Sequence, residues 1–127
     1  DDLAAVDSVL DRLRSAASSS WNEVVEIDLE FHATIVERAG SERLQRMFRT
    51  LAAETRLCLI RLEPFYPVRD SVVTEHVEIF EAIRAADEPR VKRLIDHHMQ
   101  EAADRLCLHT QAGELTGSNP PKEPHPR

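Results

Sequence analysis

The sequence predicts an all-α protein, an antiparallel helical bundle with a disordered C-terminal tail. Apolar residues recur at helical spacing through five segments, which short polar or proline-containing stretches separate. Three glycines among 127 residues argue against an all-β sandwich and against glycine-rich phosphate loops. The length suits one domain with one core. We therefore expect a helical domain over residues 1–109 and a tail over residues 110–127, where four of the seven prolines occur.

The first two helices are bounded by residues that commonly begin or end helices. Apolar spacing predicts a helix over residues 2–17, and a run of serines interrupts it. Ser20 and Glu23 have the spacing of a capping box, which begins the second helix. We expect that helix to continue to Ala39 and to end at Gly40, because glycine readily adopts the left-handed conformation that follows many helices.

Three further helices are predicted by the same reasoning. Ser41 is expected to cap a helix over residues 42–62, which a proline-containing segment terminates. A fourth helix is predicted over residues 70–86. Asp87 is expected to cap the fifth, which continues to about His109 with a proline tolerated in its first turn.

The charge balance and the two cysteines exclude several classes of protein. Lys and Arg number 16 against 23 for Asp and Glu, a formal net charge of −7, so this chain alone is not expected to bind nucleic acid. No apolar run reaches the ~18–20 residues of a membrane span, and no leader sequence is recognised. Cys58 and Cys107 lie in helical pattern and are expected to be small buried residues rather than a disulfide, which favours a cytoplasmic protein.

Polar residues interrupt the apolar stripes of three predicted helices. Asp28 and His32 lie one turn apart in the middle of the apolar face of the second helix. His76 interrupts the stripe of the fourth helix. In the fifth helix, His98 shares its face with aliphatic residues, whereas the adjacent His97 shares its face with charged ones. If only one of these two histidines points inward, it is His98.

These residue types suit a divalent metal ion. A carboxylate buried without a partner costs several kcal/mol, and Zn, Ni, Mn or Co could accept one carboxylate and three imidazoles. Four protein ligands would leave positions on an octahedral ion for water or for an oxygen of a bound molecule. The alternative is that each histidine is a hydrogen-bonded core residue, with Asp28 the partner of His32. The residues alone leave both interpretations open.

Two stretches resemble the signatures of the FadR C-terminal domain (FCD), the effector-binding domain of the FadR subfamily of GntR transcriptional regulators. Residues 28–32 with residues 37–44 resemble "D-x-x-F-H … A-G-N-x-x-L", with Ser41 in place of the usual Asn. Residues 75–87 resemble "E-H-x-x-I-x-x-A-I-x-x-x-D". The resemblance extends over about residues 2–106. It implies an all-α antiparallel bundle with a metal at its centre, and the family's ligands fall on Asp28, His32, His76 and His98.

The resemblance also implies partners. Family members bind small carboxylates, often with an oxygen on the metal, and the bound state changes the DNA affinity of an attached winged helix-turn-helix domain. They are commonly dimers, so a homodimer is expected. Neither the DNA-binding domain nor the family's first C-terminal-domain helix is recognised in this chain, so we expect DNA contact only through a domain that it lacks.

Three residues of the third helix are candidates for holding a carboxylate effector. Arg49 and Arg56 lie beside the apolar stripe, and an arginine can bind a carboxylate through two parallel hydrogen bonds. Thr55 would add a hydroxyl. The alternative is that both arginines are surface residues with packed stems. Tyr66, in the proline-bounded loop, is expected to line an entrance.

The leading functional hypothesis is a non-catalytic sensor that binds a metal and a small carboxylate. A metal-dependent hydrolase is a second hypothesis, in which the metal activates water. It is disfavoured because no further Glu or His is predicted on the pocket stripes to act as the base, Glu75 being expected to point away. A helical dimerisation module with a structural metal is a third.

Overall fold

The computed structural model describes residues 2–66 and 69–116. These ranges form five α-helices and one short 3₁₀ helix and contain no strand, which confirms the all-α class. The α-helices are α1 (Asp2–Ala16), α2 (Trp21–Arg38), α3 (Glu42–Ile60), α4 (Asp70–Arg84) and α5 (Glu88–Thr116), and the 3₁₀ helix spans Glu63–Phe65.

Hydrogen bonds between α2 and α3 show that these helices are antiparallel. At the start of α2, the indole N–H of Trp21 donates to the carbonyl of Leu59 near the end of α3, at 2.9 Å. At the other end, the side-chain amide of Gln45 donates to the backbone carbonyl of Glu37, at 3.4 Å. α2 also packs against α1, and α4 packs against α1 and α5. The main contacts thus run in the order α3, α2, α1, α4, α5, which leaves α3 and α5 as the outer helices.

The predicted helix caps are confirmed. Ser20 and Ser41 accept hydrogen bonds from the backbone N–H three residues further on, at 3.3 and 3.4 Å. Asp87 accepts from the N–H of Arg90 at 3.1 Å and so caps α5. Gly40 has φ +70°, the left-handed conformation predicted for it.

The end of α4 contains a strained residue. Its last helical residue is Arg84, and Ala86, which was predicted to be helical, instead has φ +53°. The N–H of Ala86 donates to Ile83, and the N–H of Asp87 donates to Ala82, both at 3.0 Å. This is a Schellman ending with alanine where glycine is usual, so Cβ crowding costs roughly 1 kcal/mol here.

The fifth helix extends past its predicted end near His109. Residues 110–116 are helical, since no proline precedes Pro120 in this part of the sequence to stop the helix. The rest of the predicted tail, residues 117–127, lies outside the described residues.

The hydrophobic core lies between α1, α2 and α4, and the outer helices contribute less. Its best-buried apolar residues, each at most 2% exposed, include Val6, Leu10, Leu13, Val24, Val25, Phe31, Leu62 and Ile79. α3 has no buried residue, and no described side chain of α5 is fully buried. The expectation that Cys58 and Cys107 are buried was therefore wrong: both thiols are exposed, because they lie on outer helices. None of the helices in the described ranges has the length and apolarity needed to cross a bilayer.

Candidate metal centre and adjoining cavity

Three helices bring a carboxylate and three imidazoles together inside the bundle. α2 supplies two donors one turn apart, and α4 and α5 supply one each. Each residue has one donor atom that lies within 4.8 Å of the other three; the set comprises Asp28, His32, His76 and His98. His76 is completely buried and Asp28 is 9% exposed. His97, adjacent to His98, is exposed, as the stripe pattern predicted.

The shortest distances in this histidine cluster match those between neighbouring ligands of one ion. Nε2 of His76 lies 2.9 Å from Oδ1 of Asp28 and 3.2 Å from Nε2 of His32. Two ligands bonded at about 2.1 Å and separated by roughly 90–109° would be about 3.0–3.4 Å apart. Asp28, His32 and His76 therefore fit a divalent metal in chemistry and in spacing, and the donor atom of His98 lies within 4.8 Å of theirs.

Hydrogen bonds on the far side of two rings determine which nitrogen faces the centre. Nδ1 of His76 lies 2.7 Å from the carbonyl oxygen of Val72, which can only accept, so this nitrogen bears a proton. Nδ1 of His98 lies 2.8 Å from Oε2 of Glu75 and donates to that carboxylate. Both rings thus keep Nε2 for the centre, and such outer partners orient ligating histidines in metalloproteins.

Glu75 is the residue of this site that sequence reasoning misplaced. It was expected to point away from the pocket, but it lines the cavity and binds His98. A residue next to His76 in a helix is turned about 100° from it, and on α4 that rotation points it towards α5. The need of an inward histidine for a second hydrogen-bond partner was the signal that could have identified it.

The protonation of the cluster follows from burial and from the central carboxylate. Burial lowers the pKa of His32 to about 4 despite the nearby charge of Asp28, so this imidazole is neutral at pH 7. Burial lowers the pKa of His76 too, but its hydrogen bond to Asp28 and the charge of that carboxylate outweigh burial and raise it overall. Burial raises the pKa of Asp28, but the hydrogen bond from His76 and the electrostatic effect of the three histidines together outweigh burial and lower it, so the carboxyl stays ionised. The carboxylate therefore pairs with His76, and not with His32 as the core-histidine alternative supposed.

A cavity of about 420 Å³ adjoins the cluster. Asp28, His32 and His98 form part of its wall, so a molecule in the cavity would lie against three of the four residues of the cluster. Most other lining residues are apolar and come from α2, α3 and α5: Val24, Val25, Leu29, Phe48, Leu51, Ala52, Leu59, Met99 and Ala102.

The three candidate effector residues lie in different places. Thr55 lines the cavity. Arg56 is not among the lining residues; it forms an exposed ion pair with Glu26 across α2 and α3. Arg49 is exposed and does not line the cavity either. No lysine or arginine of the described part of the chain lines it.

An aromatic pair forms one wall of the cavity. The rings of Trp21 and Tyr66 stack with centroids 5.1 Å apart, and Tyr66, which was expected to line an entrance, lines the cavity and is only 8% exposed. The guanidinium of Arg105 lies 3.9 Å from the centroid of the Tyr66 ring and donates to the carbonyl of Phe65 at 3.1 Å. Sequence reasoning had not singled out Arg105, because an arginine late in a helix has no distinguishing pattern.

Comparison with known proteins identifies the family of the chain. A family model described as the FCD domain matches residues 1–101, most of the chain. Neither the curated proteins nor the solved structures searched contain a significant match.

Proposed function

We propose that this chain, which belongs to the FCD domain family, is the effector-sensing domain of a GntR/FadR-type transcriptional regulator. Domains of this family belong to transcription regulators and bind small-molecule effectors. In this proposal the chain is not an enzyme. It holds one divalent ion, Zn, Ni, Mn or Co, and a small carboxylate metabolite, and it changes DNA binding by an attached winged helix-turn-helix domain.

The observation that supports the metal most strongly is the convergence of four donor atoms within 4.8 Å of one another. Asp28 and the Nε2 atoms of His76 and His98 would hold the ion together with His32, and Val72 and Glu75 would fix two of the rings. A bound divalent ion supplies a Lewis-acidic centre that attracts a carboxylate oxygen.

The cavity supports the second half of the proposal. It touches the donor set on one side, so a ligand oxygen can reach the cluster while the rest of the ligand packs against the walls. Its lining residues come from α2, α3, α4 and α5. A ligand that contacts all four favours one arrangement of these helices, and such differential contact is what changes the output of a sensor.

The cellular setting and the assembly are also proposals. A regulator of DNA binding works in the compartment that holds the DNA, so we place it in the cytoplasm. We expect a homodimer, and Leu44 and Met47 on α3, each about half exposed, offer apolar surface for one. Light scattering should give twice the 14.4 kDa chain mass, and a monomer at all micromolar concentrations would contradict the dimer.

The metal half is tested by loading the purified chain with each candidate ion and measuring bound metal by mass spectrometry. We expect one ion per chain. His98→Ala should lose most of it, and His97→Ala, the matched change one residue away on an exposed position, should retain it. Equal metal content in the two variants would contradict the site.

The effector half is tested on the metal-loaded chain with a panel of small carboxylates. A ligand of the native state raises the melting temperature by mass action, and the shift should require the metal. Turnover of a panel member would favour a hydrolase instead. Metal binding without a response to any acid would favour a structural metal.

A further inference from the structure

We propose that the ligand of this cavity is a monocarboxylate with an apolar body, rather than a dicarboxylate, tricarboxylate or sugar acid. This inference rests on the function proposed above and narrows the class of its effector. The argument comes from the distribution of polar and charged groups around the cavity wall.

The polar groups of the wall are concentrated on one side. Asp28, His32, His98 and Glu75 belong to the histidine cluster or to its hydrogen-bonded partner. The indole N–H of Trp21 is already used by the carbonyl of Leu59. Among the described lining residues away from the cluster, only the hydroxyls of Thr55 and Tyr66 interrupt a wall of aliphatic and aromatic side chains. A ligand that fills the cavity therefore needs a polar head at the cluster and an apolar remainder.

The charged groups around the cavity can accommodate only one carboxylate of a ligand. No described arginine or lysine lines the cavity, and three arginines near its wall are engaged elsewhere. Arg69, whose guanidinium lies 5.9 Å from the centroid of the Trp21 ring, pairs with Glu63 at 3.1 Å. Arg56 pairs with Glu26. Arg105 lies over the ring of Tyr66 and binds Glu101 at 3.3 Å. A second carboxylate would lie against apolar side chains without a cation, which is strongly unfavourable.

The size of the cavity favours a body larger than a few carbon atoms. A volume of about 420 Å³ lies within the range of pockets that hold metabolite-sized ligands. Each methylene buried against an apolar wall raises affinity by about fourfold. Acetate leaves this wall uncovered, whereas a chain of six to eight carbons would cover much of it.

The test is calorimetry on the Zn²⁺-loaded chain, freed of excess ion, with two matched acid series. The first is acetate, butanoate, hexanoate and octanoate. The second is succinate, adipate and suberate, which match the longer acids in carbon number but place a second carboxylate at the far end. We expect affinity to rise by about fourfold per methylene in the first series until the cavity is full. Adipate should bind about 100-fold more weakly than hexanoate.

The outcomes separate this inference from the proposed function. If adipate, or citrate or gluconate titrated in the same way, binds as tightly as hexanoate, the inference of an apolar monocarboxylate is wrong, while carboxylate sensing stands. If the metal is bound and no acid binds, the effector half of the proposed function is wrong, and this inference with it. If hexanoate binds equally well without metal, the acid head is not held at the cluster, which also overturns the inference.

A pair of variants tests directly whether the lack of a basic side chain in the described wall excludes a second carboxylate. Leu51 lines the cavity and is 57% exposed, so Leu51→Lys should fold and place an ammonium beside the ligand body. Leu57, on the same helix and 64% exposed, does not line the cavity and provides the control Leu57→Lys. The ratio of adipate to hexanoate affinity should rise about tenfold in the first variant and stay unchanged in the second. Equal ratios in both would contradict the proposal.

Discussion

The hydrogen bond from His98 to Glu75 allows a quantitative test of how the candidate metal centre is held. The side chains of His98 and Glu75 are 14% and 21% exposed, and Nδ1 of His98 lies 2.8 Å from Oε2 of Glu75. The carboxylate is therefore largely shielded from water. Outer partners of this kind typically contribute 10- to 100-fold to metal affinity, or about 1.4–2.7 kcal/mol. Glu75→Gln keeps an acceptor oxygen and should weaken Zn²⁺ binding by about tenfold. Glu75→Ala removes the acceptor and should weaken it by about 100-fold.

Competition with a fluorescent zinc indicator measures these affinities. Glu78, an exposed residue of α4, provides the control Glu78→Gln, which removes the same charge from the same helix and should leave affinity within twofold. Circular dichroism of each metal-free variant establishes that it is folded. Wild-type affinity in both Glu75 variants would refute the reasoning that this carboxylate orients His98.

Three further predictions concern proton linkage, backbone strain and packing. Because the pKa of His76 is raised in the metal-free protein, the stability it contributes is present below about pH 6.5 and is lost as pH rises through the folded pKa. Metal must displace that proton, so Zn²⁺ affinity should rise with pH in this window, with proton release measurable by calorimetry in two buffers. Ala86→Gly should raise the free energy of unfolding by about 1 kcal/mol, and Gly40→Ala should lower it similarly, both measured with urea. Leu10→Ala, at a fully buried position, should cost about 2–5 kcal/mol.

Each of these predictions has a control. Zn²⁺ affinity that is independent of pH above 6.5 would mean that His76 is already neutral. Ala85→Gly, at a right-handed φ of −78°, should give no gain in stability, and an equal gain there would refute the strain argument. Leu57→Ala, on an exposed position, should change stability by less than about 0.5 kcal/mol.

Much of this architecture could be predicted from local sequence patterns. The helical period identified the faces that bear Asp28 and His32, and the contrast between aliphatic and charged neighbours separated His98 from His97. The caps at Ser20 and Asp87 were equally local, because each depends on a side chain and a backbone group three residues away.

The features that sequence reasoning missed depend on contacts between distant segments. An apolar stripe predicted a buried face on the third helix, yet Leu51 and Cys58 are exposed, because α3 packs mainly on α2. The inward turn of Glu75 follows from where α5 lies relative to α4, which no local period specifies. Whether Arg56 faces the cavity or the surface was decided by Glu26, a residue thirty positions away.

Because α5 is an outer helix, an ion bound at the histidine cluster would fasten it to the core helices. With no fully buried side chain among those described, this helix lacks the row of core residues that anchors α2 and α4. An ion shared by Asp28, His76 and His98 would act as a cross-link, joining points seventy residues apart in the chain. The last helix is then the part of the bundle whose tethering changes most when the centre fills or empties.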